Sequence, residues 1–108
     1  MFEFLKRLFG GGTDIKVLLL EGAIILDVRT KAEYKRGHIK GSINMPLPKI
    51  DRQIKQLQKY NKPIITCCAS GRRSGVAATR IKAYGLEAHN GGAWTSVRRM
   101  KSESKSSK

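Results

Sequence analysis

The sequence has no long apolar run. Its longest apolar stretches, residues 17–20 and 23–26, are far shorter than the roughly 20 residues that a helix needs to cross a bilayer, which excludes a transmembrane segment. The N-terminal segment carries Lys6 and Arg7 where a secretory signal would have its apolar region. We therefore expect a cytoplasmic protein that is not exported.

Cysteine is also scarce, because the chain has only Cys67 and Cys68, and these two are adjacent. Adjacent cysteines suit neither a structural disulfide nor the spaced ligands of a metal ion. Two free thiols fit a reducing compartment. The sequence thus gives no reason to expect a metal site.

Acidic residues are few, since eight Asp and Glu stand against 22 Lys and Arg and leave a formal net charge of +14. Residues 98–108 form a Ser- and Lys-rich run with five basic residues and one Glu, which predicts a basic, disordered tail. The other basic residues are scattered over several predicted helices without interleaved aromatics, a pattern that does not favour nucleic acid. We expect a solvated basic surface that attracts small anions and acidic partners.

The chain, with 108 residues, is long enough for one hydrophobic core. Residues 1–12 end in three glycines and predict a mobile lead-in, which leaves residues 13–97 as a single domain before the tail. Apolar runs predict strands, and helical periodicity predicts the segments between them. The predicted strands cover residues 23–28, 42–45, 63–67 and 86–89, and the predicted helices cover residues 13–20, 31–36, 49–59, 74–84 and 93–100. This alternation predicts an α/β domain whose parallel sheet has helices on both faces.

The most informative segment is the loop between the third predicted strand and the following helix. It consists of Cys68, Ala69, Ser70, Gly71, Arg72, Arg73 and Ser74. Backbone N–H groups of a tight loop and of the first turn of a helix converge on one point and favour negative charge there. Such an environment lowers the pKa of a thiol, so Cys68 is the predicted nucleophile.

The other loop residues predict supporting roles. Gly71 allows the backbone to turn closely around the bound atoms. Arg73 offers a planar, always-charged group that could hold an oxyanion such as a sulfonate, and Ser74 offers a hydroxyl. The loop is therefore a candidate site for sulfur or anion chemistry.

Four segments together resemble the rhodanese family of sulfurtransferases in order and in spacing. They are residues 26–29 (LDVR), 33–46 (EYKRGHIKGSINMP), the loop 68–74 and residues 90–94 (NGGAW). The resemblance spans about residues 13–97 and implies a compact α/β domain with a parallel sheet of about five strands. It also implies that the active cysteine begins the loop and carries sulfur as a persulfide, with no cofactor and no metal.

The resemblance further implies a reaction. Cys68 would take the outer sulfur of thiosulfate, release sulfite and pass the sulfur to cyanide or to a thiol acceptor. An acidic protein acceptor is compatible with the charge of the chain, and no specific nucleic acid is implied. Arg73 matches the arginine that closes the family's loop, whereas Arg72 occupies the variable position before it, either solvated or in contact with thiosulfate.

Three further motif residues, Asp27, Arg29 and Trp94, are expected to support the site. Asp27 would accept hydrogen bonds that organise neighbouring loops, and Arg29 would pair with an acidic residue such as Glu33. Trp94 would either line the pocket or pack in the core. His38 is expected to be a packed, hydrogen-bonded residue and not a catalytic base.

Two other functions stay open. Counted from Cys67, Arg73 has the C-x5-R spacing of cysteine phosphatases, but the glycine expected three residues after the nucleophile falls on Ser70. Counted from Cys68, both the glycine and the arginine fit the shorter sulfurtransferase loop, and Cys67 should point away because strand side chains alternate. A non-catalytic rhodanese-like interaction module is the second alternative, although such modules usually lack the cysteine.

Overall fold

The computed structural model describes residues 14–106, with side chains described up to residue 104. In chain order its elements are α1 (Ile15–Leu20), β1 (Ile24–Asp27), α2 (Lys31–Lys35), β2 (Ile43–Asn44), two 3-10 turns (Leu47–Lys49 and Asp51–Gln53), α3 (Ile54–Tyr60), β3 (Ile64–Cys68), α4 (Arg72–Ala83), β4 (Ala88–Ala93) and α5 (Trp94–Ser106). Of the helices in this range, none is both long and apolar enough to span a membrane. The predicted lead-in, residues 1–12, lies outside the described range.

The strands form one parallel sheet in the order β2-β1-β3-β4. β1 pairs with β3 along its whole length, with Ile24 opposite Ile64 and Asp27 opposite Cys67. The predicted α/β class with a parallel sheet is confirmed. Four strands are present in the described part of the chain, against the five or so that the family resemblance implied, and they are the four that the apolar runs predicted.

The sheet separates two apolar clusters, each covered by helices. α3 and α4 cover one face, where Leu57 and Ile81 belong to the same cluster as Leu26. α1 and α5 cover the other face, where Leu18 and Val97 join Ile65. Helices cover both faces of the sheet, as predicted. The ends of the strands are therefore the part of the sheet that the helices leave uncovered.

Local signals in the sequence account for two of the helix starts. The side chain of Asp14 accepts a hydrogen bond from the N–H of Lys16 and caps α1. At α2, Thr30 Oγ1 accepts from the N–H of Glu33, while Glu33 Oε1 accepts from the N–H of Thr30. Both pairs give a partner to N–H groups that the first turn of a helix leaves open.

The predicted disordered tail is wrong for most of its length, because α5 runs from Trp94 to Ser106. The helix is held by its contacts with α1. Ser104 is buried, and Lys16 Nζ lies 2.9 Å from Glu103 Oε1. Lys101 Nζ donates to the carbonyl oxygen of Lys40 at 2.7 Å. A polar, basic composition does not prevent a segment from folding when the turns before it already pack into the core.

Candidate active site

The carboxyl ends of the parallel strands collect the site at one edge of the sheet. β1 ends at Asp27, β2 at Asn44, β3 at Cys68 and β4 at Ala93. Cys68 is in register with Ala93, after an irregularity in the β3–β4 pairing between Thr66 and Cys68. The thiol predicted to be the nucleophile is therefore the last residue of a central strand, at the edge where open α/β sheets bind ligands.

Glycine fixes the shape of the loop that follows. Gly71 has φ +98°, in the left-handed region, and directly precedes α4. A Cβ atom at this position would lie 3.2 Å from the Cα atom of Gly92. The helix begins at Arg72, two residues earlier than predicted, because the left-handed residue turns the chain into the helix at that point.

Two backbone N–H groups donate to the sulfur of Cys68, and the Ser74 hydroxyl lies close to it. The N–H of Gly71 donates to Sγ with an N–S distance of 3.0 Å, and the N–H of Ser74 does so at 3.4 Å. Ser74 Oγ lies 3.4 Å from the same sulfur. The predicted ring of donors is present, but its centre holds the sulfur of Cys68 itself.

These donors favour the thiolate. Burial raises the pKa of Cys68, but the hydrogen bonds from the Ser74 hydroxyl and from the N–H groups of Ser74, Gly71 and Ser70 outweigh it, so the pKa is lowered overall. The neighbouring Cys67 has the opposite environment. Burial and the carboxylate of Asp27 raise its pKa to about 12. The two thiols also face different clusters, Cys67 on the α1–α5 side and Cys68 on the α3–α4 side.

The sulfur of Cys68 is closed off from solvent. Cys68 has a relative exposure of 0%, whereas Ala69 and Ser70, the next two residues, are exposed. The sulfur therefore has no exposed surface in this conformation of the loop. Sequence reasoning predicted the donors around the thiol but not this closure.

Asn90 binds the loop to β4, and sequence reasoning did not assign it a role. Its Nδ2 donates to the carbonyl oxygen of Gly71 at 3.0 Å, and its Oδ1 accepts from Ser74 Oγ at 2.7 Å and from the N–H of Gly92 at 2.9 Å. The Ser74 hydroxyl thus lies between the amide oxygen of Asn90 and the sulfur of Cys68. A hydroxyl has only one proton. When Cys68 is ionised, rotation of the Ser74 hydroxyl is favoured so that this proton points at the sulfur instead of at the amide oxygen of Asn90.

The profile of the family described as "Rhodanese-like domain" matches residues 5–99. The chain belongs to the rhodanese-like domain family. This match covers most of the chain, including every element that carries the site. The fold is therefore that of a rhodanese-like domain, and the loop with Cys68 lies within the matched residues.

Relatives of this rhodanese-like domain include proteins named for sulfur chemistry. It is 39% identical over 67 residues to the "Putative sulfur carrier protein YrkF" of Bacillus subtilis, and this alignment covers 62% of this chain and 36% of that protein. It is 32% identical over 88 residues to "Thiosulfate sulfurtransferase 18" of Arabidopsis thaliana, and this alignment covers 69% of this chain and 65% of that protein. The chain thus spans less than two thirds of the length of either relative.

A solved structure, "rhodanese with anions from E. coli", has the same fold. Its TM-score is 0.63 at 27% identity, and the alignment covers 69% of this chain and 91% of that one. The comparison supports a rhodanese-like domain that resembles sulfurtransferases and sulfur carriers at modest identity.

Within the rhodanese-like domain, the two motif arginines both pair with carboxylates. Arg29 was expected to pair with an acidic residue such as Glu33, and the structure pairs it with Asp27: its Nε and Nη2 donate to that carboxylate at 2.7–3.0 Å, and both residues are buried. Glu33 pairs with Arg73 instead, with Nη1–Oε1 2.7 Å and Nη2–Oε2 3.0 Å. Arg73 therefore connects the start of α4 to α2 through both of its terminal nitrogens.

The remaining predicted residues lie around this frame. Arg29 Nη2 also donates to the carbonyl oxygen of Gly37 at 2.7 Å, which links the Asp27 pair to the segment after α2. Trp94 lies between the guanidinium groups of Arg29 and Arg98, at 4.6 and 4.7 Å from its ring centroid, on the α1–α5 side of the sheet. Trp94 thus packs on the face opposite the Cys68 side chain.

His38 and Arg72 lie at the surface. His38 stacks on Tyr34 with a centroid distance of 3.7 Å, and its Nδ1 lies 2.8 Å from the Tyr34 carbonyl oxygen. Arg72, the first residue of α4, is exposed. In the part of the chain that the structure describes, no cluster of three or more His, Cys, Asp or Glu side chains could hold a metal ion.

Proposed function

We propose that this rhodanese-like domain is a sulfurtransferase that carries sulfane sulfur as a persulfide on Cys68. The observation that supports the proposal most directly is the set of N–H and O–H donors from Gly71 and Ser74 around Sγ. Such donors stabilise a thiolate before it attacks and again when it leaves. The names of the relatives point to the same chemistry.

In the loading step, the Cys68 thiolate attacks the outer sulfur of thiosulfate. A bond forms between Sγ and that sulfur, the S–S bond of thiosulfate breaks, and its electron pair leaves on sulfite. The product is the Cys68 persulfide anion, so charge and atoms balance without an added oxidant or reductant. Because the donors around Sγ lower the pKa of Cys68 and favour its thiolate, the step needs no separate general base.

In the unloading step, cyanide or an acceptor thiolate attacks the outer sulfur of the persulfide. The bond between that sulfur and Sγ breaks, and the electron pair returns to Cys68 as thiolate. The donors from Gly71 and Ser74 favour this departure because they bind the sulfur in its ionised form.

Both steps require the closed loop to open. Cys68 is fully buried, while Ala69, Ser70 and Arg72 are exposed along the loop and at the start of α4. In this proposal, Arg72 attracts the sulfonate end of thiosulfate as the loop opens, since its guanidinium is always charged. Arg73 keeps the base of the loop in place through Glu33.

The phosphatase alternative is disfavoured by two contacts. A phosphatase on this loop would need Cys67 as the nucleophile and Arg73 to bind phosphate. Cys67 packs among apolar side chains on the other face of the sheet, with its pKa raised to about 12 by burial, and Arg73 is paired with Glu33.

The test is a measurement of intact mass after incubation with thiosulfate. We expect the wild-type protein to gain one sulfur atom and to lose it when cyanide is added. Cys68→Ser should abolish the gain, and Cys67→Ser, the matched control one residue away, should retain it.

Absence of sulfur uptake by the wild-type protein would refute the persulfide mechanism. Uptake that depends on Cys67 instead of Cys68 would contradict the proposal, because the persulfide would then form on the opposite face of the sheet. Turnover of an aryl phosphate without sulfur uptake would support a phosphatase.

A further inference from the structure

One side of the molecule carries a concentrated positive charge. Between residues 47 and 84 the sequence has nine Lys or Arg and a single acidic residue, Asp51. Six exposed side chains define what we call the basic face: Lys49, Arg52, Lys55, Lys59, Lys62 and Arg72. The sequence alone suggested that basic residues were scattered, but the topology brings α3 and α4 onto the same face of the sheet.

The spacing within α3 places two of these charges on one side of the helix, because Lys55 and Lys59 lie four residues apart in it. Arg52 belongs to the 3-10 turn before α3, and Lys62 follows the left-handed residue Asn61 that ends the helix. The opposite side of α3 is apolar, with Ile54 and Leu57 buried in the core. The cations therefore project away from the sheet.

The basic face is not neutralised by the protein itself. Asp51 is within 3.7 Å of Arg80 and accepts a hydrogen bond from Tyr84, while Arg73 pairs with Glu33. Among the residues 14–104, no carboxylate lies within ion-pair distance of the six side chains of the basic face. A field of this kind attracts an anionic partner over about 8–10 Å at physiological salt.

The basic face adjoins the loop that covers Cys68. Arg72 begins α4 directly after Gly71, at the open end of the loop. The first 3-10 turn, Leu47–Lys49, comes before α3 in the chain. It begins just beyond the end of β1, because the N–H of Leu47 donates to the carbonyl oxygen of Val28. The charges thus extend from the strand ends, where Cys68 lies, along the outer side of α3.

We propose that the basic face docks an acidic protein that presents its own thiol to Cys68 as the sulfur acceptor. The proposal rests on the sulfurtransferase function and adds the class of partner and the surface that binds it. A small thiol needs no such surface. A nucleic acid has no thiol to attack the persulfide, and the one aromatic residue among the six cations, Tyr60, is partly buried and packs against the core.

The transfer itself is balanced. The partner's thiolate attacks the outer sulfur of the Cys68 persulfide, a new S–S bond forms on the partner, and the bond to Sγ breaks. The electron pair stays on Cys68 as thiolate, and the transferred sulfur keeps its negative charge, so the partner leaves as a persulfide anion. Docking beside the loop holds the attacking thiolate close to the persulfide during this exchange.

The test compares two double variants that remove the same charge. Lys55→Gln with Lys59→Gln changes the basic face far from the loop, whereas Lys35→Gln with Lys40→Gln removes two exposed lysines elsewhere. The probes are a synthetic peptide with one cysteine flanked by glutamates and a matched peptide with glutamines. Transfer of sulfur to each peptide is followed by mass, and binding of serine versions of both peptides by fluorescence anisotropy.

We expect the wild-type protein to bind and sulfurate the acidic peptide better than the neutral one, with the preference decreasing as salt is added. The Lys55 and Lys59 variant should bind the acidic peptide about tenfold more weakly. The Lys35 and Lys40 variant should bind it nearly as the wild type does. Turnover with thiosulfate and cyanide should not change in either variant.

Equal losses in the two variants would overturn the proposal, because net charge alone would then explain them. No preference for the acidic peptide would also overturn it. Binding of a single-stranded oligonucleotide, but not of the acidic peptide, through Lys55 and Lys59 would favour a nucleic acid instead. Anisotropy needs no persulfide, so failure of sulfur loading and failure of docking are distinguishable.

Discussion

Cys67 and Cys68 are neighbours in β3, but their side chains lie on opposite faces of the sheet. Both are fully buried and both end the same strand, yet their sulfurs lie in different surroundings. Cys67 has apolar neighbours and a nearby carboxylate, which raise its pKa to about 12. Cys68 has N–H and O–H donors, and its pKa is lowered. Reactivity therefore follows from the donors, because burial alone would raise the pKa of both thiols.

A Ser74→Ala substitution tests the donors. The change removes the hydroxyl that stabilises the thiolate, so the pKa of Cys68 should rise and alkylation by iodoacetamide at neutral pH should slow. The measurement is the rate of alkylation as a function of pH, with Thr79→Ala as control, since the Thr79 hydroxyl donates to Gly75 on the same helix. An unchanged midpoint for Ser74→Ala would show that the hydroxyl does not stabilise the thiolate.

At the residue scale, the sequence predicted Cys68 and its loop as the candidate site, and it predicted an acidic partner for Arg29 such as Glu33. The structure pairs Arg29 with Asp27 and pairs Glu33 with Arg73, for which no protein partner was predicted. The choice depends on how α2 and α4 approach each other, which local patterns do not encode. Asn90 was missed for the same reason, although its place before two glycines marked a close backbone approach.

At the scale of elements, β4 depends on its glycines. The strand was predicted to end at His89, but it continues to Ala93 and includes the glycine pair. A Cβ atom on Gly91 would lie 2.7 Å from a methyl carbon of Ile65 and 2.7 Å from one of Val97. Glycine at this position therefore allows β4 and α5 to pack closely on β3.

Gly91→Ala should destabilise the domain by about 1–3 kcal/mol, because the added methyl must displace packed side chains. Chemical denaturation followed by circular dichroism measures the change. Gly75→Ala is the matched control. Gly75 lies in α4, where a Cβ atom would be 3.2 Å from Asn90 Nδ2, and helix propensity favours alanine over glycine by about 1 kcal/mol. If Gly75→Ala cost as much stability as Gly91→Ala, close packing at β4 would not be the cause.

On the scale of the whole molecule, the ion pair of Glu33 and Arg73 connects α2 with α4 across the site. The Arg73 guanidinium, together with the N–H of Thr30, lowers the pKa of Glu33 to about 2. A carboxyl group with a lowered pKa stabilises the folded state above its unfolded pKa of about 4.5. That contribution is lost as the pH falls towards 2.

Glu33→Gln should therefore lower stability at pH 7 and reduce the further loss between about pH 5 and 2. Glutamine keeps an acceptor for the Thr30 cap, so the variant isolates the charge. Thermal melts at several pH values measure the effect, with Asp51→Asn as control, because the ion-pair contact of the exposed Asp51 carboxylate with Arg80 is longer, at 3.7 Å. A parallel decline of wild type and Glu33→Gln on acidification would contradict this role of the ion pair.

The overall architecture could be predicted from the sequence because the central strands β1 and β3 are apolar runs and helical patterns alternate with the predicted strands. What the sequence could not provide was the relation between distant elements. The gathering of cations on the side of α3 and α4, and the packing of α5 against α1 through Lys16 and Glu103, both depend on the order of strands in the sheet.

The opposite orientation of the two adjacent cysteines limits how sulfur can leave the protein. In many dithiol systems a second thiol resolves the first by forming an internal disulfide. Cys67 lies across the sheet in an apolar cluster and remains protonated at neutral pH, so it cannot act as that resolving thiol. Sulfur carried on Cys68, as we propose, would therefore have no discharge route through Cys67, and its lifetime would be set by how often an external nucleophile reaches the persulfide.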